Sequence, residues 1–217
     1  MNNKIIKIDL ESKFYPERLK NIYNPPKQIY CLGNLNLLNY KETIAIIGSR
    51  NYSSYGKKAA NDFSFNLAKN NFCVVSGLAR GIDSFAHIAA LNSKGKTIAV
   101  LGSGLDNIYP KENINLAKRI VENDGLIISE YELGSKPLKQ HFPARNRIIS
   151  GLSDGVLVIE ATKNSGTNIT VDFALEQGKD VFVVPGNIYS VTSDGTNFLI
   201  KEGAIPVVSY RNILEMK

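Results

Sequence analysis

Six short, near-continuous runs of apolar and β-branched residues set the strongest limit on how this chain can fold. They are Ile44-Ala45-Ile46-Ile47, Cys73-Val74-Val75, Thr97-Ile98-Ala99-Val100-Leu101, Leu126-Ile127-Ile128, Val156-Leu157-Val158-Ile159 and Val181-Phe182-Val183-Val184. Strands this uniformly apolar are covered on both faces, whereas a strand with one wet face alternates. Each run is followed by a Gly- or Ser-bearing turn, and then by apolar residues at helical spacing: Ala60, Phe63 and Leu67; Phe85, Ile88 and Ala89; Ile114, Ala117 and Ile120; Ile169, Phe173 and Leu175. Strand and helix alternating in this way predict an α/β fold, an extended Rossmann-like open parallel sheet with helices on both faces. A last short run stands at Ile205-Pro206-Val207-Val208.

Residues 1–42 have another texture, with Pro16, Pro25 and Pro26, the aromatics Phe14, Tyr15, Tyr23 and Tyr30, and no sustained period. They read as an N-terminal extension packed on a single main domain, 43–217, with one added strand at Gln28-Ile29-Tyr30-Cys31-Leu32. With 43% hydrophobic residues in 217, the chain has enough apolar material for a packed interior. No stretch approaches the roughly 18 apolar residues of a membrane span, and no signal-type run follows Met1, so a soluble, cytoplasmic protein without a membrane partner is expected. Cys31 and Cys73 sit in apolar stretches and read as buried thiols. Together with His87 and His141 they offer no metal-ligand spacing, so no metal is expected.

In open parallel sheets ligands lie outside the carboxyl ends of the strands, so the turns carry the functional information. The first is Gly48-Ser49-Arg50, which combines a residue that lets backbone amides approach a phosphate, a hydroxyl and a planar bidentate donor. The same three residues also suit a plain tight turn with a solvated arginine. The second, Ser76-Gly77-Leu78-Ala79-Arg80-Gly81-Ile82-Asp83, precedes a helix that Asp83 or Ser84 could cap. The third, Gly102-Ser103-Gly104-Leu105-Asp106-Asn107, lacks the third glycine of a dinucleotide fingerprint and does not open the sheet, which disfavours a nicotinamide or flavin cofactor. It runs on into Tyr109-Pro110-Lys111.

The 26 Lys and Arg exceed the 20 Asp and Glu by six, and the fourth turn concentrates that excess. From Leu133 to Ser150 the chain carries Lys136, Lys139, Arg145 and Arg147 without an acid, with Phe142 among them. Pro143-Ala144-Arg145-Asn146-Arg147 reads as the first turn of a helix whose apolar side holds Ile148, Ile149 and Leu152. Arg145 then faces partly inward and needs either an anionic ligand or a buried acid such as Glu160 or Asp154, while Arg147 points elsewhere. The fifth turn, Asn164-Ser165-Gly166-Thr167-Asn168, opens a helix and is either an anion site or a plain N-cap. Several such sites along one edge fit a backbone with many phosphates better than a single nucleotide, which points to nucleic acid. P-loop and nucleophile-elbow patterns are missing, and no reaction is supported by the residues.

In their order, these turns, with Ser129-Glu130, Phe142-Pro143-Ala144-Arg145-Asn146-Arg147-Ile148-Ile149-Ser150-Gly151-Leu152 and Pro185-Gly186, resemble the DNA-processing protein A (DprA/Smf) family over about residues 43–208. The resemblance implies a bacterial protein of natural transformation and competence that binds and protects incoming single-stranded DNA and loads the RecA recombinase onto it in DNA recombination. It also implies a homodimer, with neither enzymatic activity nor cofactor. By motif, Arg50, Lys111, Lys139 and Phe142 are the positions it assigns to DNA. Many members add a helical SAM-like domain in front and a winged helix behind, whose roles are not carried over. With the residue reading, the expected DNA-binding set is Gly48, Ser49, Arg50, Lys111, Lys139, Phe142, Arg145, Arg147, Ser165, Gly166 and Thr167. The alternative is a nucleotide-processing enzyme related to the lysine-decarboxylase-like phosphoribohydrolases, although Gly166-Thr167 is followed by Asn168, Ile169 and Thr170 and lacks the acid those enzymes use.

Overall fold

The computed structural model describes residues 4–163 and 165–216. Nine strands form one sheet: β1 (Ile6–Asp9), β2 (Gln28–Gly33), β3 (Thr43–Ile47), β4 (Cys73–Ser76), β5 (Thr97–Leu101), β6 (Leu126–Ser129), β7 (Gly155–Val158), β8 (Asp180–Val183) and β9 (Ile205–Pro206). Their spatial order is β1-β2-β6-β5-β4-β3-β7-β8-β9. From β6 through β9 all neighbours are parallel, in register such as Ile44 with Val74 on one side and with Gly155 on the other. The parallel α/β sheet expected from the apolar runs is therefore present. It is extended at one edge by an antiparallel pair, β1 on β2 and β2 on β6.

The apolar runs are two-faced because each strand supplies two cores. In β3, Ile44 and Ile46 pack with Ala60, Phe63 and Leu67 of α2 (Ser54–Lys69) and Ile82, Ala86 and Ala90 of α3 (Ile82–Asn92). Ala45 and Ile47, one residue out of phase, pack on the opposite side with Ile148, Ile149 and Leu152 beside α5 (His141–Gly151) and Val171 and Ala174 of α6 (Thr167–Glu176). The intervening helix α4 (Ile114–Glu122) covers β5 and β6 through Leu116, Ala117 and Ile120. The N-terminal residues join the second face: Leu19 of the one-turn α1 (Glu17–Lys20), Ile22 and Leu37 are buried there. The C-terminal stretch adds α7 (Asp194–Lys201) and α8 (Tyr210–Leu214). No helix among the described residues is long and apolar enough to cross a membrane.

The inward face of α6 differs from the expected one. Leu175 is 61% exposed, and the buried positions are Thr167, Thr170, Val171 and Ala174. Small and β-branched residues let α6 approach α5 closely, so here the fit between helices overrides the residues with the highest hydrophobicity.

The strand order reverses between β3 and β7: the chain moves outward from β3 through β4, β5 and β6, then crosses back to place β7 on β3's other flank. All turns that follow β3 to β8 emerge at the same edge of the sheet, on either side of this switch point.

Candidate nucleic-acid interface

The turns after β3, β4 and β5 and the start of α5 enclose a half-open cleft on the β4 side of the switch point. The turn after β3 begins at Gly48, where a Cβ would lie 2.8 Å from the Ile82 side chain and 2.9 Å from the Glu160 carbonyl oxygen. The turn is closed by Ser49, whose amide donates to the Glu160 carbonyl at 2.8 Å and whose hydroxyl donates to the Asn51 carbonyl at 2.7 Å. Gly48 and Ser49 thus build the turn, and the polar groups of Ser49 are satisfied within the fold. Arg50 is what the turn presents: it is exposed, and its guanidinium carbon stands 5.8 Å from the centre of the Phe142 ring.

The second turn is folded around a buried carboxylate. Asp83 does not cap α3 but reaches back to accept from the amides of Gly77, 3.1 Å, and Ala79, 3.4 Å. Burial raises its pKa, against the opposing pull of Arg145. Gly81, at φ +78°, adopts a conformation that L side chains avoid, and a Cβ there would run into the backbone of Ser49 and Arg50. The first two turns are consequently packed directly on each other.

Arg145 forms the floor. It is 4% exposed, and its Nη1 donates to the carbonyls of Gly77, at 2.7 Å, and Val100. Neither acid considered for it from the sequence is its partner. Asp154 binds Arg18 and Thr43, and Glu160 binds Ser53 and Thr192. Its Nη2 has no hydrogen-bond partner among the described residues, and a Cβ on Gly77 would lie 2.7 Å from that nitrogen. A glycine at 77 therefore keeps one edge of a buried cation open to the cleft. Burial lowers the Arg145 pKa to about 10, offset in part by Asp83 and reinforced by Arg50. The guanidinium remains charged at neutral pH.

Phe142, in the first turn of α5, closes the opposite wall. Gly102 leaves room for its ring, with 3.1 Å between the ring edge and a Cβ built there, and Tyr109 packs against it at 5.6 Å between ring centres and 46° between planes. Arg80 lines the outer rim and forms an exposed ion pair with Glu112. Lys111, at the start of a 3-10 turn, and Lys139, just before α5, are exposed and without an ion pair among the described residues.

The family described as DNA recombination-mediator protein A matches residues 7–217. The chain belongs to this family. The DNA processing protein DprA of Streptococcus pneumoniae is 49% identical over 200 residues, covering 92% of this chain and 70% of that protein. That of Bacillus subtilis is 42% identical over 208 residues, covering 96% and 70%. The crystal structure of the S. pneumoniae protein superposes with a TM-score of 0.93 at 46% identity, over 98% of this chain and 74% of that one. A DprA structure from Helicobacter pylori, described for its single-stranded DNA binding mode, gives 0.87 at 34% identity over 100% and 97%. A molybdenum cofactor binding protein from Rippkaea orientalis, at 0.57 and 20%, shares the fold alone.

In this member of the DprA family, Arg50, Phe142 and Arg145 of the predicted set line the cleft, Lys111 and Lys139 do not, and two further predicted elements lie elsewhere in the fold. Arg147 is 7% exposed and turned to the other side of α5, where it pairs with Glu130 at 2.5 Å and donates to the carbonyl of Asn24 at 2.9 Å. Its neighbours make it a tie between α5 and the N-terminal residues. Ser165, Gly166 and Thr167 stand after β7, beyond the switch point, and close on themselves through the Thr167 amide and Ser165 hydroxyl, 3.3 Å. Asn164 lies outside the described residues.

The switch point itself, where doubly wound folds hold mononucleotides, is filled by the chain. Glu160 is 1% exposed, and its carboxylate accepts from the amide of Ser53 at 2.9 Å, the Ser53 hydroxyl at 2.5 Å and the Thr192 hydroxyl at 3.0 Å. Ser53 is the N-cap of α2, so an internal carboxylate sits where a phosphate would meet that helix. Glu160 and Asp83 are the features whose roles the sequence does not announce, whereas the Tyr109 ring stands at the strand-end edge where the sequence offers it. Each acid depends on partners more than 20 residues away or on a backbone turn folded around a side chain, and no local pattern announces either.

Proposed function

We propose that this protein binds single-stranded DNA along the strand-end edge, with phosphates on Arg50, Lys111 and Lys139, one anionic group against the open edge of Arg145, and a base stacked on Phe142. The observation that carries the reading is the cleft, where a buried arginine with an unpartnered Nη2, a second arginine and two aromatic rings converge from the turns after β3 and β5 and from α5. A duplex hides its base faces, whereas a single strand can offer a base to a ring and its phosphates to cations at once. Sequence preference should be weak, because phosphate contacts carry no base information. The H. pylori relative's described single-stranded DNA binding supports the same ligand class here.

The family's description as a recombination mediator supports a further reading: as a cytoplasmic homodimer, the protein protects incoming DNA in natural transformation and hands it to RecA. A strand-exchange assay with RecA and coated DNA tests this, and no stimulation over RecA alone would sink the mediator role. DNA binding itself is tested by titrating labelled oligonucleotides at several salt concentrations. Affinity should fall by about 0.7 log units per log unit of salt for each phosphate neutralised. Arg50→Ala should fold normally, since its side chain is exposed, and weaken binding at least about tenfold, ~1.4 kcal/mol. A salt-independent isotherm, or tighter binding of duplex, contradicts the proposal.

A further inference from the structure

Next to the cleft, a further surface interleaves cations with aromatic rings. Residues 48–61 carry Arg50, Tyr52, Tyr55, Lys57 and Lys58 and contain no Asp or Glu. Tyr52, in the loop before α2, is 44% exposed and is held edge-to-face by Phe85 of α3, with ring centres 4.7 Å apart and planes at 88°. Lys57 of α2 lies over the same Phe85 ring, its Nζ 5.3 Å from the centre, and forms no ion pair among the described residues. The pair is thus a buttressed ring beside an oriented ammonium, where an unconstrained lysine would be free to sample solvent.

The patch is continuous with the cleft. Tyr52 follows Arg50 by two residues, and α3 begins directly after the turn whose Ala79 and Arg80 line the cleft. The amide of Ile82 donates to the carbonyl of Ser49 at 3.3 Å, so both halves are mounted on the same two interlocked turns. Glu160, whose carboxylate meets this stretch, is buried and bound to Ser53, and it presents no charge to the surface.

We propose that Tyr52 and Lys57 form a second single-stranded DNA subsite, which takes the nucleotides that continue from the cleft past Arg50. Tyr52 stacks a base, with Phe85 fixing its plane, and Lys57 neutralises the phosphate next to it. This inference rests on the DNA reading of the cleft, and it also gives the strand a path, from Phe142 across Arg50 toward the first turns of α2 and α3.

The full chain is titrated with a ladder of labelled oligothymidylates from about 4 to about 16 nucleotides, the range of common single-strand sites. In the unmodified protein affinity should rise with length until the second subsite is filled. Tyr52→Ala should abolish that rise, lowering affinity for the longer oligonucleotides by about 5-fold to 100-fold while the shortest bind as before. Lys57→Ala should reduce the salt slope for long oligonucleotides by about 0.7 and leave it unchanged for short ones. Both side chains are at the surface, and circular dichroism confirms the fold. Wild-type affinity at every length in the folded double variant overturns the subsite, as does an equal loss at all lengths. Failure of the cleft reading is separate: there the shortest oligonucleotides do not bind, or Arg50→Ala changes nothing.

Discussion

His87 shows how a single side chain under the cleft ties stability to pH. Thr97 gives its hydroxyl proton to the Val74 carbonyl at 2.7 Å, so the 2.7 Å contact between Thr97 Oγ1 and His87 Nδ1 requires the imidazole to donate. Its Nε2 is then a bare acceptor, buried and without a partner in the described residues. Protonating it would place a charge in an apolar interior near Arg145, and burial, with Arg145 second, lowers its pKa to about 3. The unfolded chain takes up this proton near 6.5 and the folded one only near 3, so the folded state is fully favoured above pH 6.5. The advantage, on the order of a few kcal/mol, is lost as pH falls through that interval. Asp83 has the opposite sign: its raised pKa means that acid relieves the cost of burying its charge. The urea midpoint should therefore drop between about pH 6.5 and pH 4, and His87→Leu should flatten that drop. Parallel profiles for the two proteins would exclude the buried neutral ring as the source.

At the level of elements, the strand-end turns work as interlocked pairs. Gly81 combines a left-handed φ with direct contact on the backbone of the Arg50 turn, so Gly81→Ala introduces strain of about 1–3 kcal/mol and moves the surface that carries both Arg50 and Tyr52. Thermal melts and oligonucleotide binding should both suffer in this variant, whereas Arg50→Ala affects binding alone. Normal binding by the Gly81→Ala variant would show that the two turns are not coupled. The sequence displayed these turns as short Gly-bearing strings after apolar runs, and the position of Arg50 and Phe142 at the strand ends was legible there. The Ser49 amide and hydroxyl serve backbone partners in the turn, which a turn's polar groups can do as readily as meet a ligand. Arg145 was legible as inward-facing, yet its setting against Gly77, Val100 and Asp83 arises from strands that meet only in the folded sheet.

At the scale of the whole molecule, the N-terminal residues and the sheet are joined by Arg147, which spans from Glu130 after β6 to the Asn24 carbonyl. Arg147→Met leaves Glu130, 20% exposed, without its cation, and should lower stability by about 3 kcal/mol with little change in short-oligonucleotide affinity per folded molecule. Denaturant melts with parallel binding curves check this; a binding loss without destabilisation would return Arg147 to the DNA site. The alternating apolar runs and helical spacings determined by themselves that the chain forms a parallel α/β sheet, because strands buried on both faces must be apolar at every position. Local turn chemistry likewise determined that the strand ends would carry cations. What only the tertiary structure decided is which cations remain available. That choice depends on long-range partners: Glu130 claims Arg147, Ser53 and Thr192 claim Glu160, and Gly77 leaves one edge of Arg145 open because it has no side chain to cover it.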